Sequence, residues 1–253
     1  MKINVLTLFP EMYSPVTNDS ILGKANEKGL IDINLVNIRD YTLDKHKKVD
    51  DTPFGGGCGM LLMCQPIFDA LKSVGITDNT KKVIYMSPRG KILNENILKN
   101  LLQYEEITIL SGHYEGVDQR VLDYFNMEEV SIGDYITTGG ELPSMVLIDA
   151  LSRFVPGVLG NEESTSDESI YSGLLEANQY TKPKTYLGLD VPDVLTNGNH
   201  KKIKLYELYD SLKITKERRP DLFKKWLEEK DIDSLKEFTK REREKLKKYI
   251  KSL

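Results

Sequence analysis

Cysteine is scarce in this chain: Cys58 and Cys64 are the only two in 253 residues. Two thiols make neither a disulfide framework nor a four-ligand zinc site, so both are read as small packing residues. Histidine is almost as rare. His46, His113 and His200 show no H-x-x-x-H spacing, the cysteines show no C-x-x-C spacing, and no serine sits in a G-x-S-x-G elbow. No metal site is therefore expected, and metal-dependent and triad hydrolases drop out. Phosphate cradles are missing too. No G-x-G-x-x-G follows the first apolar run, which ends Leu8-Phe9-Pro10-Glu11, and no G-x-x-x-x-G-K-[ST] occurs, which argues against a Rossmann dinucleotide site and a P-loop. Apolar runs such as Ile3 to Phe9 and Ile107 to Leu110 fall far below the roughly 20 residues of a membrane span. Met1-Lys2 leads straight into a strand pattern without a signal-type apolar region and cleavage site, so a cytoplasmic protein with no membrane partner is expected.

What the chain does contain is enough apolar residue, 40% against 29% charged, to fold as a globular protein. Its net charge of −4 conceals an asymmetry. Residues 1 to 200 carry 17 Lys and Arg against 28 Asp and Glu, whereas residues 201 to 253 carry 18 against 11. A basic tail suits polyanion binding, because each cation placed on a phosphate releases a condensed counterion; it equally suits a merely solvated helix face.

Short apolar runs alternate with helical patterns through the first 155 residues. Ile3 to Phe9, Ile31 to Ile38, Lys82 to Ser87, Ile107 to Ser111 and Glu129 to Ile132 read as strands. Gln65 to Val74, Asn94 to Leu102 and Val117 to Phe125 read as helices between them. This alternation predicts an α/β fold, a mostly parallel sheet with helices on both faces. Ser144 to Val155 is apolar nearly all round and stops at Pro156-Gly157, which predicts a helix for a core or an interface. The polar, acidic stretch over 160–173 reads as an exposed linker. The predicted organisation is thus a domain at 1–160, a linker at 161–175 and a small helical domain at 176–253. In the last of these, Ile232 to Ile250 reads as one helix with Leu235, Phe238, Leu246, Tyr249 and Ile250 along one face.

Four glycine-containing segments stand out: Pro53 to Met60, Ser111 to Asp118, Ser131 to Pro143, and Pro156-Gly157. Two of them directly follow predicted strands. In open α/β sheets ligands sit beyond the carboxyl ends of strands, where glycine lets the backbone approach a ligand closely. Each segment alone could be an ordinary turn; together they point to a backbone-lined small-molecule site.

These segments also carry a resemblance. The opening Leu-Phe-Pro-Glu-Met, then Val49 to Gly57, Tyr85-Met86-Ser87-Pro88, Gly112-His113-Tyr114-Glu115-Gly116, Ser131 to Pro143, and Ser152 to Gly160 resemble the bacterial tRNA (guanine-37-N1)-methyltransferases of the SPOUT class. The ordered motifs span the chain and continue into Gly198-Asn199-His200 and the basic tail. The resemblance implies a SPOUT domain whose residues 80 to 160 form a deep trefoil knot, against the general rule that chains do not thread their own loops. It also implies an obligate homodimer with active sites at the subunit interface, S-adenosylmethionine as cofactor, and tRNA as partner, methylated at guanine 37 after a preceding guanine.

By the same resemblance, Gly112, Ile132, Gly133, Asp134, Tyr135, Ile136 and Thr137 line the adenosylmethionine pocket, with Tyr85, Ser87, Pro88, Gly139, Gly140, Leu142 and Pro143 around it. Glu115 matches a carboxylate near the target base. Asp50 and the Phe54 to Gly59 loop are expected to meet RNA or the partner subunit. Methylating guanine N1 needs a base for its proton and a cation at O6, where negative charge develops. The resemblance gives Arg153 as the cation. For the base, the family shows Asp followed by Ser and an aromatic, whereas this chain has Thr165-Ser166-Asp167-Glu168-Ser169-Ile170. Gap-free counting from Arg153 puts Glu168 in the base position, with Asp167 as the alternative one residue earlier. A related reading, methylation of a ribose 2'-hydroxyl or another RNA by the same fold, needs no such carboxylate; a pure RNA-binding module needs no glycine-lined pocket. Both are disfavoured.

Overall fold

A computed structural model describes residues 1–159 and 170–253. The chain divides into two compact units, Met1–Glu162 and Glu163–Leu253. In the first, the strands are β1 (Lys2–Thr7), β2 (Asp32–Asn37), β3 (Asp50–Asp51), β4 (Leu61–Leu62), β5 (Val83–Ile92), β6 (Glu106–Ser111) and β7 (Glu128–Ser131). Its helices are α1 (Ser14–Asn18), α2 (Ser20–Glu27), α3 (Cys64–Ser73), α4 (Glu95–Leu101), α5 (Gln119–Phe125) and α6 (Glu141–Ser152).

Five strands form a sheet in the order β2-β1-β6-β5-β7, every pair parallel. The fold is α/β, as the alternation of patterns predicts. Alternate strand residues point to opposite faces, and each face carries its own core. Ile84 and Met86 of β5 pack with Leu98 of α4 and Leu147, Ile148 and Leu151 of α6. Val83 and Tyr85 pack on the other side with Ile67 and Leu71 of α3 and Val121 and Phe125 of α5.

Three local expectations are corrected. The strand expected to end at Ser87 continues to Ile92, because the chain leaves the ladder after Met86 and rejoins β7 at Lys91, both residues facing Val130. The excursion Ser87-Pro88-Arg89-Gly90 is a bulge around a proline that has no amide hydrogen to donate. Gly90 closes it, since a side chain there would run into the backbone of Glu129 and Val130. The apolar helix begins at Glu141 and ends at Ser152 rather than spanning 144–155. Pro143 falls in its first turn, where an amide has no intrahelical acceptor, so it does not mark a boundary. Third, Cys58 is exposed rather than packed in a core, whereas Cys64 does pack against the second core, and burial pushes its thiol up to about 11.

The second unit contains a two-strand hairpin, β8 (Thr185–Tyr186) and β9 (Leu189–Asp190), then α7 (Asp193–Thr196), α8 (His200–Arg218), α9 (Pro220–Glu229) and α10 (Lys240–Ser252). Leu174, Leu212, Phe223, Trp226 and Leu246 form its core. The single helix expected over 232–250 is broken into a 3-10 turn at Ile232–Ser234 and α10. The cause is a capping box: Thr239 Oγ1 accepts from Glu242 N at 3.3 Å while the Glu242 carboxylate accepts from Thr239 N at 2.7 Å. Phe238 and Leu246 are nonetheless buried, and Leu235, Tyr249 and Ile250 pack against the same core. Among the described residues, no helix is long and apolar enough to cross a membrane.

Candidate active site

The five strands run parallel, and the bulged middle of β5 together with the loops leaving β6 and β7 encloses a cleft of about 240 Å³. Two glycines let the loops meet. A side chain at Gly112 would place its first carbon 2.7 Å from the Tyr85 ring, and one at Gly140 would place it 2.6 Å from Gly112 N. In their absence Gly140 N donates to Gly112 O at 2.6 Å, which ties the loop after β7 to the end of β6. Gly133 takes a φ of 146°, open to glycine alone, and Ser131 Oγ bridges its amide and carbonyl at 3.2 and 3.0 Å. Thr137 Oγ1 donates to Gly139 O at 2.7 Å. The loop is thus braced from within before any ligand arrives.

A buried hydroxyl chain supports it from below. Tyr13 and Ser111 share a hydrogen bond of 2.7 Å, Ser111 and Ser144 one of 2.6 Å, and Ser144 Oγ lies within bonding distance of Gly140 O at 2.7 Å. Burial pushes the Tyr13 phenol up to about 12, so it stays a neutral donor throughout the physiological range. Burial raises Tyr85 as well.

Tyr85, Ser87, Pro88, Gly112, Ile132, Tyr135, Ile136, Thr137, Gly139, Gly140 and Pro143 all line the cleft, together with Glu115. Gly133 and Asp134 belong to the same loop without lining it, and Leu142 is half exposed on the first turn of α6. Met86, His113, Tyr114, Gly116, Val130, Ser131 and Thr138 also line it. In the sequence Met86 and Val130 read only as strand residues, and the Gly112-to-Gly116 motif yields only Gly112 and Glu115 as site candidates. A histidine between a strand end and a glycine turn was the available signal.

Glu115 is fixed by a neighbouring hairpin. Its amide donates to Met60 O at 3.0 Å, and its side chain fills the space that a side chain at Gly59 would need. The loop before Gly59 carries Phe54, 99% exposed, and positive φ at Gly55, Gly56 and Gly57. Asp50 lies in β3 of that hairpin. Arg153 is the C-cap residue of α6, half-buried and not among the residues that line the cleft. Asp167 and Glu168 lie outside the described residues. Among the described residues, no group of three or more potential metal ligands occurs.

The family model for tRNA (Guanine-1)-methyltransferase TrmD matches residues 1–225. The chain belongs to this family. Curated relatives cover nearly all of it. A protein of Ruminiclostridium cellulolyticum is 54% identical over 226 residues, 89% of this chain and 97% of its own length. One from Clostridium botulinum strain Hall is 52% identical over 242 residues, 95% of this chain and all of its own length. One from Clostridium perfringens strain SM101 is 53% identical over 237 residues, 93% and 99% respectively. Each carries the name tRNA (guanine-N(1)-)-methyltransferase. As a family member, then, the chain is a methyltransferase.

Proposed function

We propose that the chain methylates N1 of guanine 37 in tRNA, where another guanine precedes it, with S-adenosylmethionine held in the cleft. Family membership carries the reaction. The observation that supports the cofactor is the glycine-built wall: a cleft whose sides at Gly112, Gly139 and Gly140 admit no side chain offers backbone amides and carbonyls to a polar ligand. Gly112, Ile132, Tyr135, Ile136, Thr137 and Gly140 would hold it, and the bound sulfonium supplies an electrophilic methyl group.

The chain's own task is then at guanine. N1 carries a proton at neutral pH, so a base must take it while a cation meets the charge growing on O6. Glu168, or Asp167 one residue earlier, takes the proton, Arg153 meets O6, and Glu115 orients the base within the cleft. Pro143 lines the cleft, and Arg153 lies at the far end of α6. At about 1.5 Å per residue their separation is about 15 Å, more than an arginine side chain extends. This supports a homodimer in which Arg153 serves the partner's cleft. Leu142 and Val146, 51% and 47% exposed on the same helix, give such a partner apolar surface to cover. The tight backbone pass of Gly140 against Ser111 and Gly112, which ties the loop after β7 to the end of β6, is in keeping with a knotted chain. The basic second unit holds tRNA by its phosphates, with 1–160 as catalytic domain, 161–175 as linker and 176–253 as RNA-binding domain, in the cytoplasm.

The test is methyl transfer from labelled S-adenosylmethionine to transcripts differing only at positions 36 and 37. The expected product is 1-methylguanine at 37, formed only when both positions are guanine. Labelling of a ribose, or of transcripts lacking guanine 37, would overturn the assignment.

A further inference from the structure

Under the cleft wall lies a polar pair that the methyl-transfer chemistry leaves unused. Glu141, the first residue of α6, is 2% exposed although it is a carboxylate. Its Oε1 accepts a hydrogen bond from Thr7 Oγ1 of β1 at 2.9 Å. Its Oε2 lies 3.8 Å from Nδ1 of His113. That nitrogen is itself buried and, among the described residues, has no hydrogen-bond partner. The imidazole is gripped between the rings of Phe9 and Tyr114, each with its centroid 5.0 Å away. Gly139 makes room for it, since a side chain there would place its first carbon 2.7 Å from Nδ1.

A buried carboxylate and a buried, unpaired imidazole nitrogen are each unfavourable alone, and each supplies what the other lacks. Closing the gap by about 1 Å makes a charge-assisted hydrogen bond. An imidazole that commits Nδ1–H to a carboxylate has its tautomer and ring plane set, and Nε2 becomes the nitrogen left to meet a ligand. His113 lines the cleft, so that ligand is whatever the cleft holds.

We propose that Glu141, anchored by Thr7, is a positioning residue: it fixes His113 as the Nδ1–H tautomer and so turns Nε2 toward the cofactor cleft. This rests on the reading of the cleft as the S-adenosylmethionine site. The test uses the full chain with S-adenosylhomocysteine as the probe, at a pH of about 9, above the imidazole range, where the tautomer is visible. Nitrogen-15 NMR, with His113 assigned by its loss in His113→Gln, should show the proton on Nδ1 in the wild type. Glu141→Met keeps the length and removes the acceptor. It should move the proton toward Nε2 and weaken S-adenosylhomocysteine binding by about tenfold, the loss expected when a hydrogen bond to a charged group is removed. A wild-type spectrum with the proton on Nε2 would overturn the pairing without any variant having to fold. Weaker binding in Glu141→Met with an unchanged tautomer would also overturn it, leaving Glu141 a structural support. A wild-type protein that bound no S-adenosylhomocysteine while His113 showed Nδ1–H would instead bring down the cofactor reading and this proposal with it.

Discussion

Replacing Gly140 by alanine is the sharpest probe of how the cleft is built. Gly140 has φ −80° and ψ −5°, a conformation alanine adopts freely, so backbone strain contributes nothing. The effect is purely one of space. The new carbon would lie 2.6 Å from Gly112 N, 2.9 Å from Ser111 Cα and 3.0 Å from Ser111 C, all backbone atoms that no rotamer change moves. The two loops must separate, which stretches the 2.6 Å Gly140-to-Gly112 hydrogen bond and disturbs the Ser144 contacts beside it. Overpacking of this kind costs about 1–3 kcal/mol and the lost hydrogen bond about 1 kcal/mol. A total of about 2–4 kcal/mol lowers the melting temperature by roughly 5–15 °C in a unit of this size. Gly29→Ala is the control: its φ of 68° carries some strain, but among the described residues nothing lies within 4 Å of the added carbon. Calorimetric unfolding reads the stability, and titration with S-adenosylhomocysteine reads the cleft, where Gly140→Ala should weaken binding at least about tenfold while Gly29→Ala leaves it intact. A Gly140→Ala protein that melted and bound like the wild type would refute the claim that the Gly112–Gly140 contact shapes the site.

Other substitutions test the chemistry and the domain roles. Glu168→Gln should lower turnover by about 10² or more with cofactor affinity kept, whereas Asp167→Asn should have little effect; the reverse pattern in single-turnover assays would move the base by one residue. Arg153→Lys should be slow as well, because an ammonium lacks the planar fork that meets O6 and a neighbouring acceptor together. Deleting the chain from residue 170 onward should abolish tRNA retention in a filter assay and leave S-adenosylhomocysteine binding measurable, since the cleft lining ends at Pro143. Glu106 accepts from Asn4 Nδ2 and pairs with Lys2 and Lys81, and these contacts, Asn4 foremost, bring its carboxyl from 4.5 down to about 2. A depressed folded-state value stabilises above about 4.5 and is lost as pH falls toward about 2, so Glu106→Gln should flatten the acid unfolding curve in that window.

Much of the fold was legible because its determinants are local and periodic. Strands such as Ile107 to Ser111 are mostly apolar, as strands buried on both faces tend to be, and the glycine turns after them announce where backbone has to pass close to something. The errors fall where a tertiary partner decides the outcome. Nothing in Ser87-Pro88-Arg89-Gly90 says that the strand resumes beyond it; only the opposing Val130, met twice, shows that. The Thr239–Glu242 capping box was present as Thr-x-x-Glu, but the apolar stripe on either side masked it. The pair of Glu141 and His113 is separated by 28 positions, and a charged residue opening a helix reads by default as solvated until its burial is seen.

The contact between Glu115 and Gly59 reaches further than its size. Glu115 occupies the space beside Gly59 and donates its amide hydrogen to Met60 O, so the exposed Phe54 loop and the cleft share a single wall. Any coupling across that wall would be reciprocal: whatever factor an occupant of the cleft contributed to binding at the loop, an occupant of the loop would return to the cleft. Ordering of that glycine-rich tip by a bound molecule would then register inside the cleft as a change in cofactor affinity, and the order in which the two ligands arrive would leave the final energy of the ternary complex unaltered.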